Sequence, residues 1–344
     1  MSFPALIKWS QKEFPHLPWR ENRSLYRTLV SEIMLQQTTV GTVKNHFERF
    51  LKIYPDLQSL ADSTEEELLV AWKGLGYYRR AKNLKKIAEA LVNDHEGDFP
   101  SDLDLLQKIP GIGPYTANAL VGIGMDQRAL AVDANLERVI ARFFGMKIPK
   151  GLKLQKEISR SFKAKEIFST KLSFRALNEA LMDLGRTICQ ARRASCELCP
   201  LKTECKAFQS KKPLQYPLEG VEKKIDKHEL HLLRVYVIKR DKVLVYQKEE
   251  EEWLAGQYEV PTFILESTDE KLTQYPRFVF KKEASGKFKS GITKYTINNS
   301  LWISSEAEWK KMNFTRPVEW RSLHDEKSNL STATIKGLKK LGLL

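Results

Sequence analysis

The 344-residue chain has no apolar run approaching the ~20 residues that a membrane-spanning helix needs, and it is short of acid. Asp and Glu number 43 against 57 Lys and Arg, a formal charge of +14 at pH 7. The opening residues, MSFPALIKWSQKEFPHLPWR, carry no long apolar stretch behind their first charge, so a secretory signal is not expected. These deficits set membrane helices aside and predict a soluble cytoplasmic protein, nucleoid-associated if bacterial, with no membrane partner.

Cysteine is scarce too. The chain has four, Cys189, Cys196, Cys199 and Cys205, all within CQARRASCELCPLKTEC. A disulfide framework would not gather every thiol into one loop of an intracellular protein. The spacing, C-x6-C-x2-C-x5-C, points instead to a metal site, compatible with either zinc or an iron–sulfur cluster. Arg192, Arg193, Lys202 and Lys206 decorate the same loop, as they would in a structural element set against phosphate.

What remains is ordinary for a globular protein: 42% apolar residues and a length that suits two domains. Lys and Arg are scattered, not gathered in a tail, and that balance suits a polyanion, most commonly nucleic acid. Charge alone does not choose between DNA and RNA.

Three stretches carry candidate chemistry. In SEIMLQQTTV (31–40) helical spacing places Leu25, Leu29 and Glu32 or Ile33 on one stripe, with Gln36 a turn further on. Glu32 then sits at the margin of a buried face, where a carboxylate is costly without a task or a partner. In LQKIPGIGPYTANALVGIG (106–124), Gly111 and Gly113 turn the chain between two helical segments, just before a helix N-terminus. That is a helix-hairpin-helix whose outward N–H groups can hold a phosphate without reading a base. In ALAVDANLERVIARFFG (129–145), Asp133 opens the next helix, either as a plain N-cap or as a carboxylate held ionised towards a cleft.

Together with LPWR (17–20), WKGLGYYRRAKNL (72–84) and VDANLERV (132–139), these residues resemble the MutY-type adenine DNA glycosylases of the endonuclease III superfamily. The likeness runs from about Leu17 to Cys205 and extends weakly to the C-terminus. It implies a multidomain protein: an all-α helix-hairpin-helix glycosylase domain over 1–209 with an iron–sulfur loop at 189–205, a linker at 210–227, and a C-terminal α+β Nudix-like domain over 228–344. It implies a 4Fe–4S cofactor on the four cysteines, and a monomer acting on double-stranded DNA with adenine opposite 8-oxoguanine or guanine.

The resemblance also assigns roles. Glu32 would protonate the leaving adenine and later activate water, and Asp133 would stabilise the oxocarbenium-like sugar. Two carboxylates whose surroundings push their pKa values apart follow glycosidase logic. Tyr115 and Asn135 would assist. Gln37, with Gln36 beside it, and Tyr77 would wedge into the duplex once the base is flipped out, a step the shielded glycosidic bond requires. Arg20 and Glu179 would border the adenine pocket.

Two absences refine the picture. Where the bifunctional relatives carry a lysine nucleophile after the hairpin glycines, this chain has Tyr115, so a monofunctional enzyme is expected. The Nudix catalytic box is missing, and the EEEE run at 249–252 reads as a solvated loop, so the second domain should bind rather than hydrolyse. One departure stands out: Ile292-Thr293-Lys294 replaces the family's Phe-Ser-His loop, leaving Thr293 and Lys294 as lesion readers and relaxed 8-oxoguanine selectivity as an alternative. Ala134 for Gly and Leu25 for Pro are smaller deviations. A thymine–guanine mismatch glycosylase, or a non-catalytic iron–sulfur DNA-binding protein, are the other readings.

Overall fold

In a computed structural model of the protein, residues 3–164, 167–168, 172–220 and 226–344 are described, the side chain of Glu326 excepted. The stretch expected to be a linker, 210–227, lies at 221–225 outside the described residues. Among the described residues no helix is long and apolar enough to cross a membrane. The chain divides into two compact units, one of residues up to Ser63 and from Arg79 through 220, the other of Thr64–Tyr78 with the C-terminal residues to Leu344.

The first unit is all helical. Its elements begin with α1 (Phe3–Glu13), α2 (Leu25–Leu35), α3 (Val40–Ile53) and α4 (Leu57–Ala61). After α5 (Glu65–Ala71), which belongs to the second unit, come α6 (Arg79–His95), α7 (Leu103–Lys108), α8 (Pro114–Ala119) and α9 (Ala134–Phe144). It closes with α10 (Leu152–Lys163), α11 (Phe174–Thr187) and the short α12 (Lys206–Gln209). Helix starts follow side-chain chemistry: Ser24, Thr39, Asp102, Asp133 and Ser173 each accept a hydrogen bond from an otherwise orphaned backbone N–H. Helix α9 stops at Gly145, whose left-handed φ of 67° a side chain rarely adopts.

A core of apolar side chains joins α1, α9, α10 and α11, with Phe3, Leu136, Ile140, Phe143, Ile158 and Leu181 buried in it. Against this core α11 presents its apolar stripe and turns Asn178 inward, where the side chain bonds Ala129 O, Phe174 O and the N–H of Ala131. Those bonds fix the segment from Ala129 that delivers Asp133 to the start of α9. Helices α7 and α8 form the helix-hairpin-helix. Gly111 between them has φ +96°, and a Cβ there would crowd Ile87 and the Asn83 carbonyl of α6, so the turn demands glycine at that position.

The second unit is built on two sheets. Strands β1 (His228–Tyr236), β2 (Ile238–Lys239), β3 (Lys242–Gln247), β4 (Tyr258–Glu259), β5 (Thr262–Ser267), β6 (Gly286–Ile292), β7 (Tyr295–Ile303) and β8 (Glu319–Ser322) are joined by α13 (Glu306–Trp309) and α14 (Thr332–Lys340). One sheet runs β5-β1-β7-β6, with β1 and β7 parallel and the outer pairs antiparallel; the other runs β2-β3-β4, with β8 also on β3. Helix α14 lies so close to β1 that a Cβ at Gly337 would overlap the Tyr236 hydroxyl.

Inside this unit Glu259 is wholly buried and accepts from Arg234, Lys248, Tyr246 and Tyr275. Burial alone would raise its pKa, but Lys248 and Arg234 outweigh that and hold the carboxyl well below its usual range. The EEEE run does not lie wholly in solvent. Glu252 turns inward, accepts from Arg316 at 2.8 Å and keeps 7% of its side chain exposed.

Candidate active site

Helix α2 buries Leu29, Val30, Ile33 and Met34, and Glu32 goes in with them at 5% exposure. The apolar stripe therefore carries a carboxyl group into the interior, where the charged form is disfavoured. Burial is the largest influence on it; Asp133 and Glu179 push the same way, and Arg20 opposes. The Tyr115 hydroxyl, on the first turn of α8, donates to Glu32 Oε2 at 2.6 Å and also favours the charged form. The balance lifts the pKa from 4.5 to about 7. Burial, and then Glu32 and Asp133, raise the phenol's own pKa well above 10, so it stays a donor.

Asp133 caps α9. Its Oδ1 accepts from the N–H groups of Asn135 (2.9 Å) and Leu136 (2.7 Å), and its Oδ2 from the Asn135 amide (2.8 Å). Three donors at a helix N-terminus suit a negative charge. The Asn135 amide is oriented in turn by Arg138, which donates to Asn135 Oδ1 at 2.8 Å and ties itself to the carbonyls of Gly185 and Cys189. A Cβ at Gly185 would strike Asn135, so close helix contact confines that side chain further. The site thus holds one carboxyl poised near neutral protonation and another capped by donors.

Arg20 and Glu179 meet at 3.5 Å beside this pair. Arg20 Nη1 also bonds Asp183 at 2.9 Å, and Asp183, 1% exposed, accepts from Ser10 and Arg186 as well. Arg23 holds both oxygens of Glu179, at 2.7 and 3.2 Å. Sequence reasoning missed Arg23, Arg138 and Asp183. The one local signal was the four-residue step from Glu179 to Asp183, which puts two carboxylates on one face of α11.

The remaining expected residues are more dispersed. Gln36 ends α2, and Gln37 follows with an exposed side chain and a left-handed φ of +56°. Tyr77, in the second unit, has φ +47° and is 61% exposed, whereas Tyr78 is buried. The two hairpin glycines differ. Gly111 is sterically required, while Gly113 has an ordinary negative φ and open space where a Cβ would stand.

At the β6–β7 turn of the second unit, Thr293 is exposed with φ +49°, and Lys294 Nζ lies 3.4 Å from both Asp269 and His228. The Tyr295 hydroxyl bonds Asp269 too, and with Lys294 it holds that carboxyl down at about 2.

The metal expectation is corrected. Among the described residues no group of three or more His, Cys, Asp or Glu side chains is placed to hold a metal ion, so neither a 4Fe–4S cluster nor zinc is supported. Cys189, Cys196, Cys199 and Cys205 are free thiols lining a cavity of about 30 Å³. Burial pushes Cys199 up to about 12 and raises Cys196 and Cys205. The loop is held by other means. Arg142, 3% exposed, donates to the carbonyls of Gln190, Ala191 and Tyr216 and to Cys189 Sγ, while Leu201 and three of the cysteines pack on the helical core.

Residues 30–164 match the family model described as HhH-GPD superfamily base excision DNA repair protein. The chain is 35% identical over 220 residues to an adenine DNA glycosylase of Buchnera aphidicola subsp. Acyrthosiphon pisum, covering 63% of this chain and 62% of that one. It is 30% identical over 320 residues to an adenine DNA glycosylase of Arabidopsis thaliana, covering 81% of this chain and 50% of the relative. The chain thus spans between half and about three fifths of the length of these relatives. Among solved structures it is similar to a thermostable thymine-DNA glycosylase, with a TM-score of 0.53 and 27% identity, covering 60% of this chain and 95% of that one.

Proposed function

We propose that the chain, whose residues 30–164 match the HhH-GPD superfamily base excision DNA repair model and which is similar to adenine DNA glycosylases, is a monofunctional adenine DNA glycosylase. The observation that carries the reading is Glu32, a carboxyl lifted by burial to about 7 and bonded by Tyr115. A group near that value is half protonated at neutral pH, as a general acid that must later serve as a base requires.

The reaction follows from the two carboxyls. Glu32 gives its proton to N7 of the flipped adenine, and the C1′–N9 bond breaks with its electron pair leaving on the base. Asp133, anionic and held by its three donors, faces the cationic sugar. Water then adds at C1′ and its proton passes to the Glu32 carboxylate. Asn135 keeps Asp133 in position, and Arg20 and Glu179 border the adenine. Arg20 Nε supports that role: it is buried, without a hydrogen-bond acceptor, and meets Glu179 only at ion-pair distance. The phenol at position 115 offers no amine for a Schiff base.

Around this centre the substrate is double-stranded DNA with adenine opposite 8-oxoguanine or guanine, bound by a monomer. Gly111 and Gly113 approach the phosphate backbone, and Gln37, with Gln36 beside it, fills the gap left by the flipped base. Residues 1–209 would carry catalysis and 228–344, a Nudix-like domain, lesion recognition through Thr293 and Lys294. The likeness to a thymine-DNA glycosylase favours a second reading, thymine excision opposite guanine, but that likeness covers only 60% of the chain.

Product analysis tests the proposal. An adenine:8-oxoguanine duplex should yield free adenine and a strand that breaks only after alkali. Covalent trapping by borohydride would contradict the monofunctional assignment, and release of thymine alone would contradict the base.

A further inference from the structure

The chain leaves α2 through Gln36 and at once adopts a left-handed backbone at Gln37, without the glycine that usually relieves such a turn. A helix end also strands its last carbonyls. Here one side chain collects them. Arg80, from the first turn of α6 and 8% exposed, brings Nη1 to the carbonyls of Ile33 (2.9 Å), Met34 (2.8 Å) and Gln36, and Nη2 to Thr38 Oγ1 (2.9 Å). The Leu35 carbonyl is taken by the Thr38 N–H. A cation at a helix C-terminus is also favoured by the helix dipole.

We infer that Arg80 is a positioning residue for base flipping: it pins the Gln36–Thr38 loop so that Gln37 is presented rigidly outward from the helix that holds Glu32. The inference rests on the wedge role proposed for Gln37. A planar fork can donate to several acceptors at once, whereas an ammonium is a point charge on a flexible stem. Arg80 holds the backbone at the end of α2, so its effect should fall on extrusion of the base and leave the acid's protonation unchanged.

A double-mutant cycle in the full chain tests this. Single-turnover adenine excision and the fluorescence of 2-aminopurine at the flipped position would be measured for Q37A, R80Q and the double variant. Each single change should slow excision about tenfold and reduce the fluorescence rise, and the double variant should be within about twofold of the slower single one. R80K should resemble R80Q, and the pH profile of every variant should match the parent. If R80Q fails to fold, T38V replaces it, with a smaller loss and the same non-additivity. Multiplied effects, near a hundredfold in the double variant, would overturn the inference while leaving the wedge intact. A Q37A variant that flips and excises normally would remove the wedge reading itself.

Discussion

The phenol of Tyr115 donates its hydrogen to Glu32 across 2.6 Å, joining a residue of the hairpin to a carboxyl buried 83 positions earlier in the chain. The bond resists the effect of burial. Desolvation alone would carry Glu32 further from its ordinary value, and the hydroxyl draws it back to about 7. If Glu32 is the acid, as proposed, this bond helps to place the pH range in which it works.

The pH–rate profile should report that setting. A catalytic acid must be protonated, so single-turnover excision should fall as pH rises through about 7. Tyr115→Phe removes a contact that favours the carboxylate, so the descending limb should move to higher pH. A limb that stays in place would mean another group is being titrated.

Glu32→Gln should lower excision by about a hundredfold or more while duplex affinity is kept. It should also stabilise the fold in a pH-dependent way. The folded pKa is raised above 4.5, so stability is lost as pH climbs from there through about 7. Gln avoids that loss. The variant's advantage should be absent below pH 4 and reach roughly 3 kcal/mol above pH 7, an upper figure from the shift itself. Denaturant unfolding at pH 4 and pH 8 checks both signs.

Much of this was legible in the sequence. The apolar stripe of α2 with an acid on its margin, the glycine turn of 106–124 and the Asp opening α9 were local patterns, and local patterns survive folding. The arginines were not. Arg23 meets Glu179 across 156 positions and Arg80 meets the end of α2 across 44 to 47, distances over which no periodicity speaks. The cysteines erred the other way: close spacing in the chain did not translate into a metal-holding arrangement. In the second unit the strands' alternation was readable, but the parallel pairing of β1 with β7 was not.

Arg138→Ala should slow excision about tenfold with little change in duplex affinity, because it frees the Asn135 amide that holds Asp133. Arg138→Lys should recover little, since the guanidinium serves Asn135 and two separate carbonyls. Equal losses in affinity and rate would show a general disturbance of the loop.

Lys294→Ala should narrow the preference for 8-oxoguanine over guanine opposite adenine by about tenfold, the worth of one charge-assisted hydrogen bond. The ratio of the two excision rates is the readout. An unchanged ratio would take Lys294 out of lesion reading.

Gly337→Ala should destabilise the second unit by more than ~2 kcal/mol, because the new methyl meets the buried Tyr236 ring system. Thermal unfolding with a fluorescence probe would show it. An unshifted transition would mean that α14 moves away at little cost.

Single-turnover excision from duplexes carrying A:8-oxoguanine, A:G, A:T and T:G tests the adenine assignment and the role of Glu32 together. Adenine should be released from A:8-oxoguanine and A:G, with A:T left intact, and Glu32→Gln should lose that release. Excision from T:G alone, or adenine release undiminished by Glu32→Gln, would contradict this expectation.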